Sequence, residues 1–382
     1  MVTLRPHQQR GVDALAVHDK GQCVFPTGGG KTLVAIMDAV RQFASETPKT
    51  IVVVAPRILL AEQLSAEFLE FHTDAAVMHV HSGETHHFSS TKPSVIRHWS
   101  QQAYRKQLIF TTYHSLPRLM EADINVDCIY FDEAHNSVQR NFFPATEHFS
   151  ATATRRTSAT ISKPGMNDVA VYGDVIYRVP APKLVNEGYI LPPVIKAKKF
   201  EVLKANEISA DRDCNNIVET LQENNTSKVL VCVKSARQLI NLMSQTDFAT
   251  QLNDMGYSYL YITSKTGAII DGQKVNREVF FDTLNSWGKD PSKKFVCLHR
   301  SILSEGINVS ELETVVFLRN MDVIEMTQTI GRVLRKGSDC KTFGLCVVPV
   351  YSQVGIATEK RLQNVVDTVF GRGEMLDSVV KR

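Results

Sequence analysis

Three successive glycines, Gly28, Gly29 and Gly30, lie between a short apolar run, Gln22–Phe25, and an amphipathic run over 33–43, with Lys31 and Thr32 at the junction. Few local patterns constrain a chain so tightly. Strand, glycine loop and helix in that order is the layout of a phosphate-binding loop. Lacking Cβ atoms, such a loop can curl until several N–H groups face one anion. A helix starting at about Lys31 adds its positive dipole end at the same point. Lys31 then reaches the outer phosphates, and Thr32 offers a hydroxyl to magnesium. Phe25 stands where these loops usually open with a small residue. A glycine turn that happens to precede a lysine is therefore the competing reading.

The segments that follow alternate in period. Apolar runs at 51–55, 76–80, 108–111, 128–131 and 147–151 read as strands, and helical patterns such as 58–71 lie between them. Val- and Ile-rich strands joined by helices predict a parallel sheet covered on both faces. Ligands of such sheets sit at the carboxyl ends of strands. There the chain places Asp132 and Glu133, directly after the run 128–131. Asp132 suits the magnesium that Thr32 also touches. Glu133 suits a base that orients and deprotonates water; a solvated Asp-Glu turn is the alternative. Ser150 and Thr152 close the run 147–151, where their hydroxyls can bond His135 or Glu133, or simply cap a strand end. Upstream, a helix opens at Leu4-Arg5-Pro6-His7-Gln8 and runs to about 18. The Gln8 amide has the donor–acceptor pair that reads adenine, though a surface glutamine explains it as well.

A metal site is the weaker reading of the histidines of 79–106 (His79, His81, His86, His87 and His98), because no Cys or carboxylate sits at a ligand-like spacing. The segment reads as a polar loop followed by a helix over 94–104. Seven scattered cysteines form no Cys-x-x-Cys pair, and five of them lie in strand-like runs as core residues. At 382 residues, 43% hydrophobic and 22% charged, the chain has room for two or three ordinary globular domains. A net charge of +3 does not by itself mark a nucleic-acid binder. No apolar run reaches membrane-span length, and the N-terminus lacks the apolar core of a signal peptide, so an intracellular protein is expected.

A Pro-rich stretch with Gly188, 180–193, separates the halves. Beyond it a second alternating series predicts strands at 194–200, 229–233, 259–263, 295–298, 315–318 and 343–348. Helices are predicted at 214–223, 235–255, 274–287 and 323–334, with a closing helix over 352–370. This half has no phosphate loop. It does carry Gln328-Thr329-Ile330-Gly331-Arg332-Val333-Leu334-Arg335, read as helical, which would put Arg332 and Arg335 on one face. Two guanidiniums at one spot suit a phosphoryl group in its transition state. A basic face near a helix C-terminus is the plainer reading.

Taken together, these stretches resemble the motifs of superfamily-two helicases in the family's order, over about residues 4–350. Arg5 to Gln8 is similar to the adenine-reading opening motif, and 26–32 to motif I. Ala55-Pro56-Arg57 with Gln63 resembles motif Ia, and Thr111-Thr112-Tyr113 motif Ib. Asp132-Glu133-Ala134-His135 spells a DEAH box, and Ser150-Ala151-Thr152, with Arg155 after it, the SAT motif. Val229 to Val233 with Ser235 resembles motif IV, 304–308 motif V and 328–335 motif VI. Asn308 stands where motif V usually has Asp. The opening motif, the Thr-Thr-Tyr segment and Gly188-Tyr189-Ile190 look most like the branch named after type III restriction subunits.

The resemblance implies an α/β protein of two tandem RecA-like domains, each a mainly parallel sheet flanked by helices, with the ATP site in the cleft between them. Its boundaries would be 1–185 for the ATP-binding domain, 186–193 for a linker, 194–352 for the C-terminal domain and 353–382 for a final helix and tail. ATP would be held by Arg5, Gln8, Thr27, Gly28, Gly29, Gly30, Lys31, Thr32 and Gly306, and Mg2+ by Thr32 and Asp132. Lys31, Asp132, Glu133, Gln328, Arg332 and Arg335 would be catalytic. His135, Ser150 and Thr152 would couple nucleotide state to movement. Arg57, Thr112, Ser235 and the motif V segment would contact nucleic acid. The implied activity is ATP-driven movement along a strand with duplex or branch remodelling, on DNA in preference to RNA. An RNA helicase and a duplex-DNA translocase that separates no strands are the alternatives. Replication, recombination or repair proteins would be its partners, and no membrane.

Overall fold

The computed structural model describes residues 2–83, 85–102, 104–152, 156–159, 164–199, 208–263, 265–300, 309, 311–336, 341–350 and 353–374. The chain forms two compact units, one running to Pro180 and the other from Ala181 to Glu374.

The first unit begins with α1 (Pro6–Val17), β1 (Gln22–Phe25), α2 (Lys31–Phe43), β2 (Lys49–Ala55), α3 (Ile58–Leu69) and β3 (Ala76–Val80). It continues through α4 (Pro93–Ser100), β4 (Lys106–Thr112), α5 (Leu116–Ala122), β5 (Cys128–Phe131), α6 (Phe143–Thr152), β6 (Arg156–Ala159), α7 (Val169–Tyr172) and β7 (Val175–Arg178). Every strand pair is parallel, in the orders β3-β4-β2-β5 and β6-β1-β7. β5 and β6 are neighbours, although no ladder joins them among the described residues. The alternation of side chains along β2, β4 and β5 builds two cores. Val52, Val54, Ile109, Ile129 and Phe131 face the helices α4, α5 and α6, while Ile51, Val53, Leu108, Phe110 and Tyr130 pack with α2 and α3. Burial on both faces is why these strands read as unbroken apolar runs.

One expected strand is a helix. Residues 147–151 belong to α6, where Ala145, Thr146 and Phe149, with Phe142 just before the helix, are buried at spacings of three and four. That period, with Pro144 in the first turn, is helical. The strand beside β1 comes later, at Arg156–Ala159.

The second unit holds α8 (Ala181–Asn186), β8 (Pro193–Lys199), α9 (Ser209–Asn224), β9 (Lys228–Cys232), α10 (Ala236–Gln245), α11 (Phe248–Asp254) and β10 (Ser258–Thr263). Then follow β11 (Gly267–Ile270), β12 (Gln273–Val275), α12 (Arg277–Lys289), β13 (Phe295–His299), β14 (Thr314–Phe317), α13 (Val323–Val333), β15 (Gly344–Val350) and α14 (Gln353–Val365). Its eight-stranded sheet runs β12-β11-β10-β13-β9-β14-β15-β8, and only the β10-β11-β12 edge is antiparallel. Val229, Val231, Val296, Leu298, Val316 and Val347 form the core with α9, α10 and α11.

Three helix expectations change here. The run 235–255 is two helices, because Thr246 leaves the helical backbone and its hydroxyl accepts the Phe248 N–H (3.2 Å). Lys274 lies in β12, since Asp271 (φ 45°) and Gly272 (φ 80°) turn a hairpin and α12 starts only after the Asn276 cap. The third, α13, ends at Val333, because the backbone beyond it pairs elsewhere. Leu191 N–H donates to the Leu334 carbonyl (2.8 Å), and Arg335 bridges Ile190. Both units are thus mainly parallel α/β sheets flanked by helices, the RecA-like architecture. Among the described residues, no cysteine is in a disulfide and no helix is long and apolar enough to cross a membrane.

Candidate active site

The glycine loop is closed by a turn in which Gly29 N–H donates to the Pro26 carbonyl (2.9 Å). Gly28 (φ 84°) and Gly30 (φ 79°) occupy the left-handed region that favours glycine. Gly30 is the N-cap of α2, and no side chain caps that end. A Cβ on Gly30 would fall 2.1 Å from Gln8 Nε2. Gln8 and His7 are buried, and together they clasp the loop from α1. Gln8 Oε1 accepts the Arg5 N–H (2.9 Å), and His7 Nε2 meets the Gly29 carbonyl (2.8 Å). Arg5 itself is exposed and begins the helix. His7 is a site residue that the sequence reading passed over. Its signal was position, because the buried stripe Gly11, Val12 and Leu15 extends back to it at helical spacing. Phe25 is fully buried between His7 and Tyr177, with ring centroids 6.4 and 5.5 Å away. Gly11 makes room for it, since a Cβ there would stand 2.9 Å from Phe25 Cζ.

Lys31 opens α2, and Asp132 and Glu133 follow β5. The ammonium lies 2.6 Å from Asp132 Oδ1 and 2.5 Å from Glu133 Oε1. Burial alone would push the lysine down, but the two facing carboxylates outweigh it and raise it. Burial likewise lifts the Asp132 carboxyl, against the pull of Lys31. Glu133 has φ 48°, a strained setting for a residue with a Cβ. Its second oxygen lies 3.5 Å from His135 Nδ1. Two anchors fix this geometry. The Tyr113 hydroxyl donates to the Asp132 carbonyl (2.9 Å). Buried Asp38 of α2 accepts from the Tyr130 hydroxyl of β5 (2.7 Å) and from Arg41 (2.7 Å). Asp38 also went unread in the sequence.

Thr32 and Asp132 border one small hollow with Lys31 and Tyr130. A hydroxyl, carboxylates, a lysine and an uncapped helix start behind left-handed glycines fit a phosphate chain with a hard divalent ion.

The other expected residues divide. Ser150 lies on α6, and its hydroxyl donates to the Val171 carbonyl (2.7 Å) and accepts from Lys20 (3.2 Å), not from His135 or Glu133. The Thr152 side chain, Arg155 and the motif V segment with Gly306 lie outside the described residues. Arg57 is exposed at the start of α3. Thr112 is buried, and its hydroxyl accepts the Ser115 N–H (3.3 Å), shaping the turn into α5. Ser235 caps α10 by accepting the Gln238 N–H (3.1 Å), beside a hollow of about 360 Å³ lined by Lys234, Arg237 and Asp213. Gln328 and buried Arg332 are on α13, but Arg335 lies past its end, so the two arginines share no helix face.

Residues 1–163 match the family described as type III restriction enzyme, res subunit, and residues 212–337 match the helicase conserved C-terminal domain. The chain carries the two domains of a superfamily-two helicase. No curated protein matches the chain at a significant level, but solved structures do. The ATP-dependent Type ISP restriction-modification enzyme LlaBIII bound to DNA superposes with a TM-score of 0.72 at 17% identity, over 97% of this chain and 30% of that one. A nuclease-deletion mutant of the Type ISP enzyme LlaGI, in complex with a DNA substrate mimic, gives 0.69 at 17%, over 97% and 29%. The DUF1998 helicase MrfA bound to DNA gives 0.67 at 15%, over 94% and 51%. At these identities the likeness is one of fold, and this chain spans about 30% of the two restriction enzymes.

Proposed function

We propose that the protein is an ATP-driven motor that moves along DNA and remodels duplexes or branches. The observation that carries this is Lys31 held between Asp132 and Glu133 at the mouth of the glycine loop. In this reading Lys31 and the loop N–H groups hold the phosphates of ATP, with Gln8 and Arg5 at the base. Thr32 and Asp132 hold Mg2+, which supplies positive charge against the outer phosphates. Glu133 takes a proton from the attacking water, and its strained backbone fixes its aim. Arg332 and Arg335 would meet the phosphoryl group in its transition state.

DNA as the track is favoured by the DNA-bound enzymes that share the fold, and an intracellular setting follows from such a track. Exposed Arg57 and the Lys234–Ser235–Arg237 hollow suit phosphate contacts, which carry little sequence information. The deciding experiment measures ATP turnover against single-stranded, duplex, forked and branched DNA and the matching RNAs, with strand displacement in parallel. DNA-stimulated turnover is expected. Stimulation by RNA alone, or by nothing, overturns the reading.

A further inference from the structure

A second group of side chains converges in the first unit, remote in purpose from the nucleotide loop. His79 lies in β3 and His81 just beyond it; Glu62 comes from α3. Glu62 Oε1 stands 3.0 Å from His79 Nδ1 and 3.0 Å from His81 Nε2, and the two ring nitrogens are 3.0 Å apart. Both histidines are buried, whereas the Glu62 side chain is 27% exposed. Glu62 Oε1 is nevertheless shut off from water, and neither ring N–H is aligned on it although both imidazoles stand 3.0 Å away. A buried carboxylate oxygen facing two imidazoles without a directed proton is costly unless a cation completes it.

The remaining polar atoms of the trio are held. Glu62 Oε2 accepts from the Thr85 hydroxyl (3.0 Å), and His79 Nε2 meets the Ser65 hydroxyl (3.0 Å). Outer contacts of this kind orient metal ligands. The protons follow from one further bond. Gly83 N–H donates to His81 Nδ1 (3.3 Å), which leaves the ring proton on Nε2, aimed at His79 Nδ1. Ligation through His81 Nε2 moves that proton to Nδ1 and gives up the long Gly83 contact. His79 needs no change, since its Nδ1 already offers a lone pair. An ion about 2.0–2.1 Å from each donor would sit about 1 Å above their plane and see them roughly 91–97° apart, as in facial two-histidine, one-carboxylate sites.

We propose that Glu62, His79 and His81 bind one divalent transition ion of the zinc class, clasping α3 to the end of the edge strand β3. Glu62, being partly exposed, gives the ion an entry path. The sequence concealed the site because its carboxylate lies outside the histidine segment and meets it only through the fold.

The test uses the full chain without a histidine tag, stripped by chelator and titrated with Co2+ and then Zn2+. Expected are visible Co2+ absorption saturating at one ion per chain, its loss as zinc displaces cobalt, and a zinc-dependent rise in unfolding temperature. Glu62→Gln, close in shape and at a partly exposed position, should keep the circular dichroism of the parent and lose both signals. Ser65→Ala should weaken binding about tenfold to a hundredfold. Absence of saturable Co2+ or Zn2+ binding in the parent, or binding unchanged in Glu62→Gln, overturns the proposal. Neither result bears on ATP turnover.

Discussion

Lys31 meets two carboxylates at once, and the roles proposed for that trio separate under substitution. Glu133→Gln should bind ATP yet turn over about 10²–10⁴-fold more slowly, as measured by steady-state hydrolysis beside nucleotide binding. Normal turnover would remove Glu133 as the base. Arg335→Ala should cost about 10³ in turnover with ATP binding intact. Unchanged turnover would leave Arg335 no part in the chemistry. His299 offers a test of a different kind. It is buried, and burial first, then the nearby Arg332 and Arg319 charges, lower its pKa to about 3. Below about pH 6.5 the unfolded chain takes up a proton that the folded chain refuses. Stability from this group is therefore complete above pH 6.5 and falls toward pH 3 by about 1.4 kcal/mol per pH unit. Denaturant unfolding across that range should show this slope in the parent and a flatter one in His299→Gln.

At the scale of elements, the docking of α1 on β1 depends on Gly11 yielding space to Phe25. Gly11→Ala should cost about 1–3 kcal/mol, and Phe25→Leu in the same chain should recover much of it. Additive losses in that double-mutant cycle would deny the contact. The same pair shows how far the sequence was legible. Phe25 read as a departure from a motif, because the glycine that accommodates it lies a helix away. The strands β2 to β5, β9, β10 and β13 to β15 were legible, since burial on two faces writes apolar runs, whereas the exposed or half-buried β7 wrote none and went unread. The 147–151 segment misled because its own apolar residues, Phe149 and Ala151, stand two apart as in a strand, while the helical spacing appears only when Phe142 and Ala145 are counted with them. The β11–β12 hairpin had a signal, Asp271-Gly272, that a helical reading of the following residues hid. The end of α13 had none, because the pairing of Leu334 and Arg335 with 190–191 is made by distant chain. Asp38 and Glu62 escaped for the same reason: each acts on a partner brought near only by folding.

For the whole molecule, a motor held to DNA through phosphate contacts should show DNA-stimulated hydrolysis that weakens steeply with salt. Apparent affinity should fall linearly with salt on logarithmic axes, by a slope near the number of phosphates neutralised. A salt-independent response would argue against a phosphate track. The two edges of the eight-stranded sheet bear on behaviour at high concentration. One is the three-residue strand β12, carrying Lys274; the other is β8, which opens on Pro193 and carries Lys196 and Lys198, paired with Glu219 and Glu223 of α9. A brief charged strand and one begun by an imino acid are poor templates for a stranger's backbone. Copies crowded together can therefore collide without zipping into a shared ribbon.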